Sequence, residues 1–148
     1  MYEFLDYRVL DVMTRDPVVV APETSLAEVE AILQEKGWNA LPVARDDRRL
    51  LGFVTQLDLL GAFRFGDEST LPPYEQIMRR PVSGVMTRDV MTVTPRMPLT
   101  RALERMVEQR SKSFPVVEDH ELVGIISRRD ILEALRKAVK GEAAVGPI

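Results

Sequence analysis

The sequence predicts an α+β chain built as two tandem β-α-β-β-α units, paired as half-domains about a pseudo-twofold axis. Three observations predict it. Val12-Met13-Thr14-Arg15-Asp16 returns unchanged as Val85-Met86-Thr87-Arg88-Asp89, and the same shift of 73 carries Val20 onto Val93, Pro22 onto Pro95, Leu26 onto Leu99 and Pro42-Val43 onto Pro115-Val116. Beyond a hairpin turn the shift drops to 72, taking Gly52 onto Gly124 and Asp58 onto Asp130, so the second turn is one residue shorter. Gly52-Phe53-Val54-Thr55-Gln56-Leu57-Asp58 and Gly124-Ile125-Ile126-Ser127-Arg128-Arg129-Asp130 also share one grammar: glycine, two apolar residues, a hydroxyl residue, two variable positions, aspartate. An apolar run that ends in Ser or Thr just before a helical pattern is a strand running into a helix. Two copies of so long a period argue against a solenoid, which needs about three stacked units or more.

Residues 1–11 mix Tyr2, Phe4, Leu5, Tyr7, Val9 and Leu10 with acids, as a short helix packed on the body would. The first repeat covers 12–60. Val18-Val19-Val20 is a β-branched strand closed by Pro22. Ser25 caps a helix, Glu28 stands where a capping box wants it, and Gly37 ends the helix after an apolar face of Leu26, Val29, Ile32 and Leu33. Ala40 to Ala44 and Leu50 to Thr55 form a hairpin around the charged turn 45–49, and a helix runs from about Gln56 to Phe65. Residues 66–84 form a connector punctuated by Gly66, Pro72, Pro73, Pro81 and Gly84, with a helical turn at Tyr74 to Met78. Its length points to a functional or partner-facing loop.

The second repeat covers 85–132. Met91 to Thr94 is its first strand, stopped by Pro95, and Pro98 sits where a first helical turn tolerates proline. Leu99, Ala102, Leu103, Met106 and Val107 then make an amphipathic stripe. Phe114 to Val117 and Leu122 to Ser127 form the second hairpin. Residues 133–148 complete a final helix, with Ile131, Leu132, Leu135, Ala138 and Val139 inward, and a tail that frays from Gly141.

Composition narrows the function. No apolar run approaches the roughly 18 to 20 residues that span a bilayer, so no membrane partner is expected. Acids in Met1 to Asp6 oppose a secretory signal, and together with the absence of cysteine they point to the cytoplasm. Without cysteine, and with His120 as the one histidine, thiolate chemistry, zinc-cysteine sites and Ser-His relays drop out, and no metal is expected. A net charge of −3 gives no electrostatic case for nucleic acid, and Arg79-Arg80 with Arg88 reads as a solvated patch.

The hydroxyl and aspartate of each Gly-x-x-[Ser/Thr]-x-x-Asp stretch fall beside the unpaired N–H groups of a helix start, where partial positive charge gathers. Two roles are open there. The pair can be a capping box that only starts the helix. It can also take the hydroxyls of a ribose, with the helix end and an adjacent arginine taking a phosphate. The repeated Val-Met-Thr-Arg-Asp reads as a lead turn that seats Met13 and Met86 in the core, with a phosphate role for Arg15 or Arg88 as the alternative. His120 belongs to a hairpin turn, and Trp38 is either core or a dimer contact.

Taken together, the two leads, the Pro-Val strands at 42–43 and 115–116 and the two Gly-x-x-[Ser/Thr]-x-x-Asp endings resemble a tandem pair of CBS domains, the Bateman module. The resemblance covers 12–60 and 85–132. It implies a regulatory, ligand-sensing module that catalyses nothing, and a disc-shaped homodimer read by some regulated protein partner. No cofactor is required; the implied ligand is adenosine-containing, AMP, ADP, ATP or S-adenosylmethionine, held in clefts between the repeats. By the same resemblance one site takes Ser127 and Asp130 for ribose, Arg128 or Arg129 for phosphate, and the Val20, Asn39 and Ala40 region for the base. The other takes Thr55 and Asp58 with Thr92, Lys112 and Ser113, but has Gln56-Leu57 where the first has two arginines, so it must borrow a cation such as Lys112 or Arg88, bind something less charged, or stay empty. The alternative is a structural homodimer with vestigial clefts. An enzyme ranks behind both, because the repeat assigns Asp58 and Asp130 to separate sites rather than to one catalytic pair.

Overall fold

The computed structural model describes residues 2–64 and 73–145, and the chain divides into two units: Val18–Val90, and the residues up to Pro17 together with those from Met91 onward. In the Val18–Val90 unit, Ser25 accepts the Glu28 N–H at 3.2 Å and starts helix α3 (Leu26–Lys36), as the capping pattern predicts. Leu26, Val29 and Leu33 are buried, and the helix ends on Gly37 at φ 67°, a left-handed position that costs glycine nothing. Strands β2 (Ala40–Ala44) and β3 (Leu50–Thr55) pair antiparallel, with every β2 residue buried, and helix α4 (Gln56–Gly61) follows directly. Helix α5 (Tyr74–Met78) and a 3-10 turn at Val82–Gly84 bring the chain back, tied by Leu26 N–H to Arg80 O at 3.0 Å and Val82 N–H to Thr24 O at 2.8 Å. Ile77, Met78 and Val82 thereby join the core of the first repeat.

In the other unit, helices α1 (Tyr2–Leu5) and α2 (Val9–Val12) are fastened to the second repeat by Val9 N–H to Met97 O at 3.0 Å, Leu10 N–H to Pro95 O at 2.9 Å and Leu99 N–H to Tyr7 O at 2.9 Å. Strand β1 (Thr14–Arg15) pairs antiparallel with β5 (Glu121–Ser127), which pairs with β4 (Ser113–Glu118), giving the order β1-β5-β4. Helices α6 (Leu99–Gln109) and α7 (Arg128–Val145) pack against this sheet, and Phe4, Val9, Phe114, Ile126, Ile131 and Ala138 meet in one core.

The two leads therefore exchange places. Thr14, which opens the first repeat, lies opposite Ile125 of the second; Thr87, which opens the second, exchanges two backbone hydrogen bonds of 2.8 Å with Phe53 of the first. This explains the glycines. A Cβ on Gly124 would lie 2.8 Å from both the Met13 sulfur and the Thr14 carbonyl oxygen, and one on Gly52 would lie 2.6 Å from the Met86 sulfur. Met86 is buried and Met13 packs on the other core, as the lead-turn reading expects.

Several expectations need correction. The strands expected at Val18–Val20 and Met91–Thr94 shrink to single bridges, Val20 to Val43 and Val93 to Val116: of these residues only Val20 and Val93 both donate to and accept from the neighbouring hairpin strand, whereas Val18 and Val19 are exposed. Helix α4 ends at Gly61, short of the expected Phe65, which with the first part of the connector lies outside the described residues. Helix α7 continues through Gly141 to Val145, and 146–148 lie outside the described residues. The α6 and α7 stripes are wider than the core they face: Leu99, Ala102, Met106, Ile131 and Ala138 are buried, whereas Val107, Leu132 and Val139 are 70%, 61% and 50% exposed. Trp38 is half-buried at the margin of the first-repeat core, with Lys36 Nζ 6.0 Å from its ring centroid, and His120 is exposed in its turn. No described helix is long and apolar enough to cross a membrane.

Two glycine substitutions test the exchange of leads. Gly124→Ala drives a methyl against a backbone oxygen that cannot yield cheaply and lowers stability by about 1–3 kcal/mol, or roughly 2–4 °C per kcal/mol in melting midpoint. Gly61→Ala, which meets nothing within 4 Å, leaves stability unchanged or raises it by up to about 1 kcal/mol. Urea denaturation of both variants separates them.

Candidate ligand-binding site

Both strand-to-helix junctions are complete capping boxes. At α7 the Ser127 N–H donates to Asp130 Oδ2 at 2.8 Å and the Asp130 N–H donates to Ser127 Oγ at 3.2 Å. At α4 the Thr55 N–H donates to Asp58 Oδ2 at 2.9 Å and the Asp58 N–H donates to Thr55 Oγ1 at 3.1 Å. An extended residue carrying a hydroxyl, followed by an acid three residues on, satisfies two orphan helix-start donors reciprocally. The cap is thus formed, and it holds each half-buried carboxylate at the lip of a helix start.

Each unit gathers part of the residues expected at a site. In the Val18–Val90 unit Ala40 pairs with Thr55, the Gln56 N–H donates to Asn39 O at 3.1 Å, and the Val20 N–H donates to Pro42 O at 3.1 Å. Val20, Asn39 and Ala40 therefore lie along the same hairpin as Thr55 and Asp58. In the other unit Ser113 pairs with Ser127, the Arg128 N–H donates to Lys112 O at 2.9 Å, and Thr92 precedes the Val93 bridge to Val116. Thr92, Lys112 and Ser113 thus belong with Ser127 and Asp130 by unit, although the sequence-based assignment pairs each ribose group with base residues of the opposite repeat.

The arginines divide their work. Arg128 Nε donates to Ser111 O and its terminal nitrogen to Arg110 O, both at 2.8 Å. Its charge, misplaced at the start of α7, is thereby matched to the carbonyl end of α6. Arg110 is the left-handed cap of α6 at φ 54°, the position that Gly37 holds in the first repeat. Sequence reasoning missed this clamp, and its signal was present: where one repeat has Gly37 and Gln56, the other has Arg110 and Arg128. Arg129 is exposed and makes no hydrogen bond or ion pair among the described residues, which makes it the cation at this helix start not already committed to backbone. The lead arginines are likewise turned to backbone, Arg15 to Leu10 O at 3.4 Å and Arg88 to Ser83 O at 3.2 Å.

The two carboxylates differ in one respect. Thr87 Oγ1 donates to Asp58, 3.2 Å from Oδ1 and 3.3 Å from Oδ2, while Asp130 Oδ1 accepts nothing among the described residues.

The family model of the CBS domain matches residues 9–64 and again residues 82–137. The chain belongs to the CBS domain family. Among solved structures it is similar to a protein ascribed to acetoin utilization, AcuB, from Vibrio cholerae, at 27% identity and a TM-score of 0.81, covering 95% of this chain and 98% of that one. It is also similar to CBSX2 of Arabidopsis thaliana, solved in complex with AMP, at 27% identity and a TM-score of 0.76, covering 90% of this chain and 98% of that one. Among curated proteins it is 31% identical over 118 residues to the inosine-5'-monophosphate dehydrogenase of Korarchaeum cryptofilum, a match over 79% of this chain and 22% of that enzyme. The chain spans only 15% to 22% of the curated enzymes it matches first.

Within this CBS pair, the two adjacent arginines are separable by mutation. Arg128→Ala removes two charge-assisted hydrogen bonds and lowers stability by about 1–2 kcal/mol, whereas Arg129→Ala stays within about 0.5 kcal/mol of the parent. Thermal denaturation of the two variants without ligand checks the difference.

Proposed function

We propose that this chain is a regulatory ligand-sensing module that binds an adenosine-containing ligand, AMP, ADP, ATP or S-adenosylmethionine, and performs no chemistry on it. The observation that carries this reading is the Asp130 carboxylate, held by its capping box beside the N–H groups of the 18-residue helix α7, with one oxygen that accepts nothing among the described residues. A carboxylate accepts two hydroxyl donors from a ribose, and a helix start with a neighbouring cation suits a phosphate. Ser127 and Asp130 hold the ribose and Arg129 meets the phosphate. The complex of the related CBSX2 with AMP supports the ligand class. The work of such a module lies in differential affinity, since a ligand shifts only the states it binds unequally. The absence of cysteine fits action in the cytoplasm.

A homodimer is the second part of the proposal. Leu60 and Leu132 occupy the same place in the two repeats and are 69% and 61% exposed, which leaves large apolar side chains in water on both helices that follow the hairpins. A second copy of this chain, through a self-complementary contact, covers them. Light scattering should give about twice 16.8 kDa for the parent, and Leu132→Glu should shift it to the monomer; an unchanged mass in the variant removes this helix from the interface.

Ligand binding is tested by thermal shift after denaturing extraction and refolding, with each candidate at about 1 mM. A ligand at about 100 times its dissociation constant adds roughly 2.7 kcal/mol, or about 5–11 °C at this size. Adenosine compounds raise the midpoint and a guanosine nucleotide does not. No shift with any of them makes the structural homodimer the better account. Asp130→Ala lowers the ligand-free midpoint by roughly 2–4 °C, the cost of a lost cap, and abolishes the shift with AMP. An undiminished AMP shift in that variant removes the ribose assignment.

A further inference from the structure

We propose that the protein takes one nucleotide rather than two, because Thr87 locks the Asp58 carboxylate that a second ribose would need. The inference rests on reading Asp130 as the ribose group. The two repeats carry the same capping box, so the box cannot distinguish them; what surrounds it does. Asp58 Oδ2 already accepts the Thr55 N–H at 2.9 Å, and the Thr87 hydroxyl lies across both oxygens at 3.2 and 3.3 Å. Thr87 is not a loose side chain on a loop. Its backbone is held to Phe53 by reciprocal hydrogen bonds of 2.8 Å, and the neighbouring Met86 is buried against Gly52. A diol arriving at Asp58 must displace this hydroxyl or share the carboxylate with it, and either costs the incoming ligand part of what it would gain at an uncovered carboxylate.

The second repeat lacks the lock. Thr14 has the same register on β5 that Thr87 has on β3, opposite Ile125 where Thr87 faces Phe53. Nevertheless Thr14 gives no hydrogen bond to Asp130 among the described residues, and Asp130 Oδ1 accepts nothing. Charge separates the two ends in the same sense. Arg129 follows Ser127 by two residues, while the matching position beside Thr55 is Leu57, and α4 is only six residues long, against 18 for α7. Hydrogen-bond capacity and charge both leave Asp130 open and Asp58 closed. Thr87 is thus a specificity-determining residue that acts by occupying a carboxylate, and Asp58 becomes the acceptor that fastens the second lead to the first hairpin.

Calorimetric titration with AMP, run on the parent, Asp58→Asn and Asp130→Asn, tests the stoichiometry. The parent binds one AMP per chain, Asp58→Asn binds one with affinity within about twofold, and Asp130→Asn binds at least about tenfold more weakly. Two AMP per chain in the parent, or a tenfold loss in Asp58→Asn, overturns the proposal. The lock itself is read without nucleotide, by melting Thr87→Val, Asp58→Asn and the double variant. Each single change lowers the midpoint and the double lowers it no further than the worse single; additive losses mean that the two side chains are not coupled and overturn the lock. Absence of AMP binding in the parent overturns the nucleotide reading and the stoichiometry with it, while the melting comparison still decides the lock.

Discussion

Each unit depends on one close approach, that of a lead segment to a hairpin glycine. Met13 and Thr14 lie against Gly124, and Met86 and Thr87 against Gly52, at distances that leave no room for a Cβ. That contact seats a methionine in or against each core, gives each hairpin its extra strand residues, and aims the lead threonine along the strand that ends in the capping box. The glycine that opens the Gly-x-x-[Ser/Thr]-x-x-Asp motif is thus a packing requirement, and the hydroxyl and aspartate that close it are a helix start. One short stretch carries fold and candidate site together because strand, crossing lead and helix N-terminus meet within seven residues.

Much of this was legible in the sequence because it is local. The Ser25 cap, the Gly37 terminus and the two capping boxes follow from spacing and residue type over a dozen residues or fewer, each hairpin from one short contiguous stretch, and the duplication from the same local patterns recurring in order. What was not legible is what arises from pairing far apart in the chain. Nothing near Thr14 says that its partner is Ile125, so the exchange of leads could not be read from either copy alone. The widths of the α6 and α7 faces were overestimated for a related reason. Periodicity finds Val107, Leu132 and Val139 on an apolar side, but only the neighbours of the folded unit decide how far around the helix the core extends.

The site was legible in its residues and not in their commitments. Ser127, Asp130, Thr55 and Asp58 stand where the motif puts them, as caps. The sequence could not say which polar groups are already engaged. Arg128, one of two candidate phosphate ligands, is turned back to the carbonyls of Arg110 and Ser111, and Asp58 is covered by Thr87. Two copies of one motif therefore differ in chemical capacity through residues outside it. A cation beside a helix N-terminus is electrostatically unfavourable unless something compensates it. Arg128 has its compensation in α6; Arg129 has none among the described residues, and a bound anion would supply it.

The start of α7 is the proposed nucleotide end of this CBS pair. The most direct measurement is an amide chemical-shift titration of the uniformly nitrogen-15-labelled protein with AMP. Saturable shifts are expected in the Ser127, Arg128, Arg129 and Asp130 amides, with the Thr55 to Asp58 amides moving far less. Saturable shifts centred on residues 55–58 with 127–130 unmoved, or a spectrum indifferent to millimolar AMP, would contradict it.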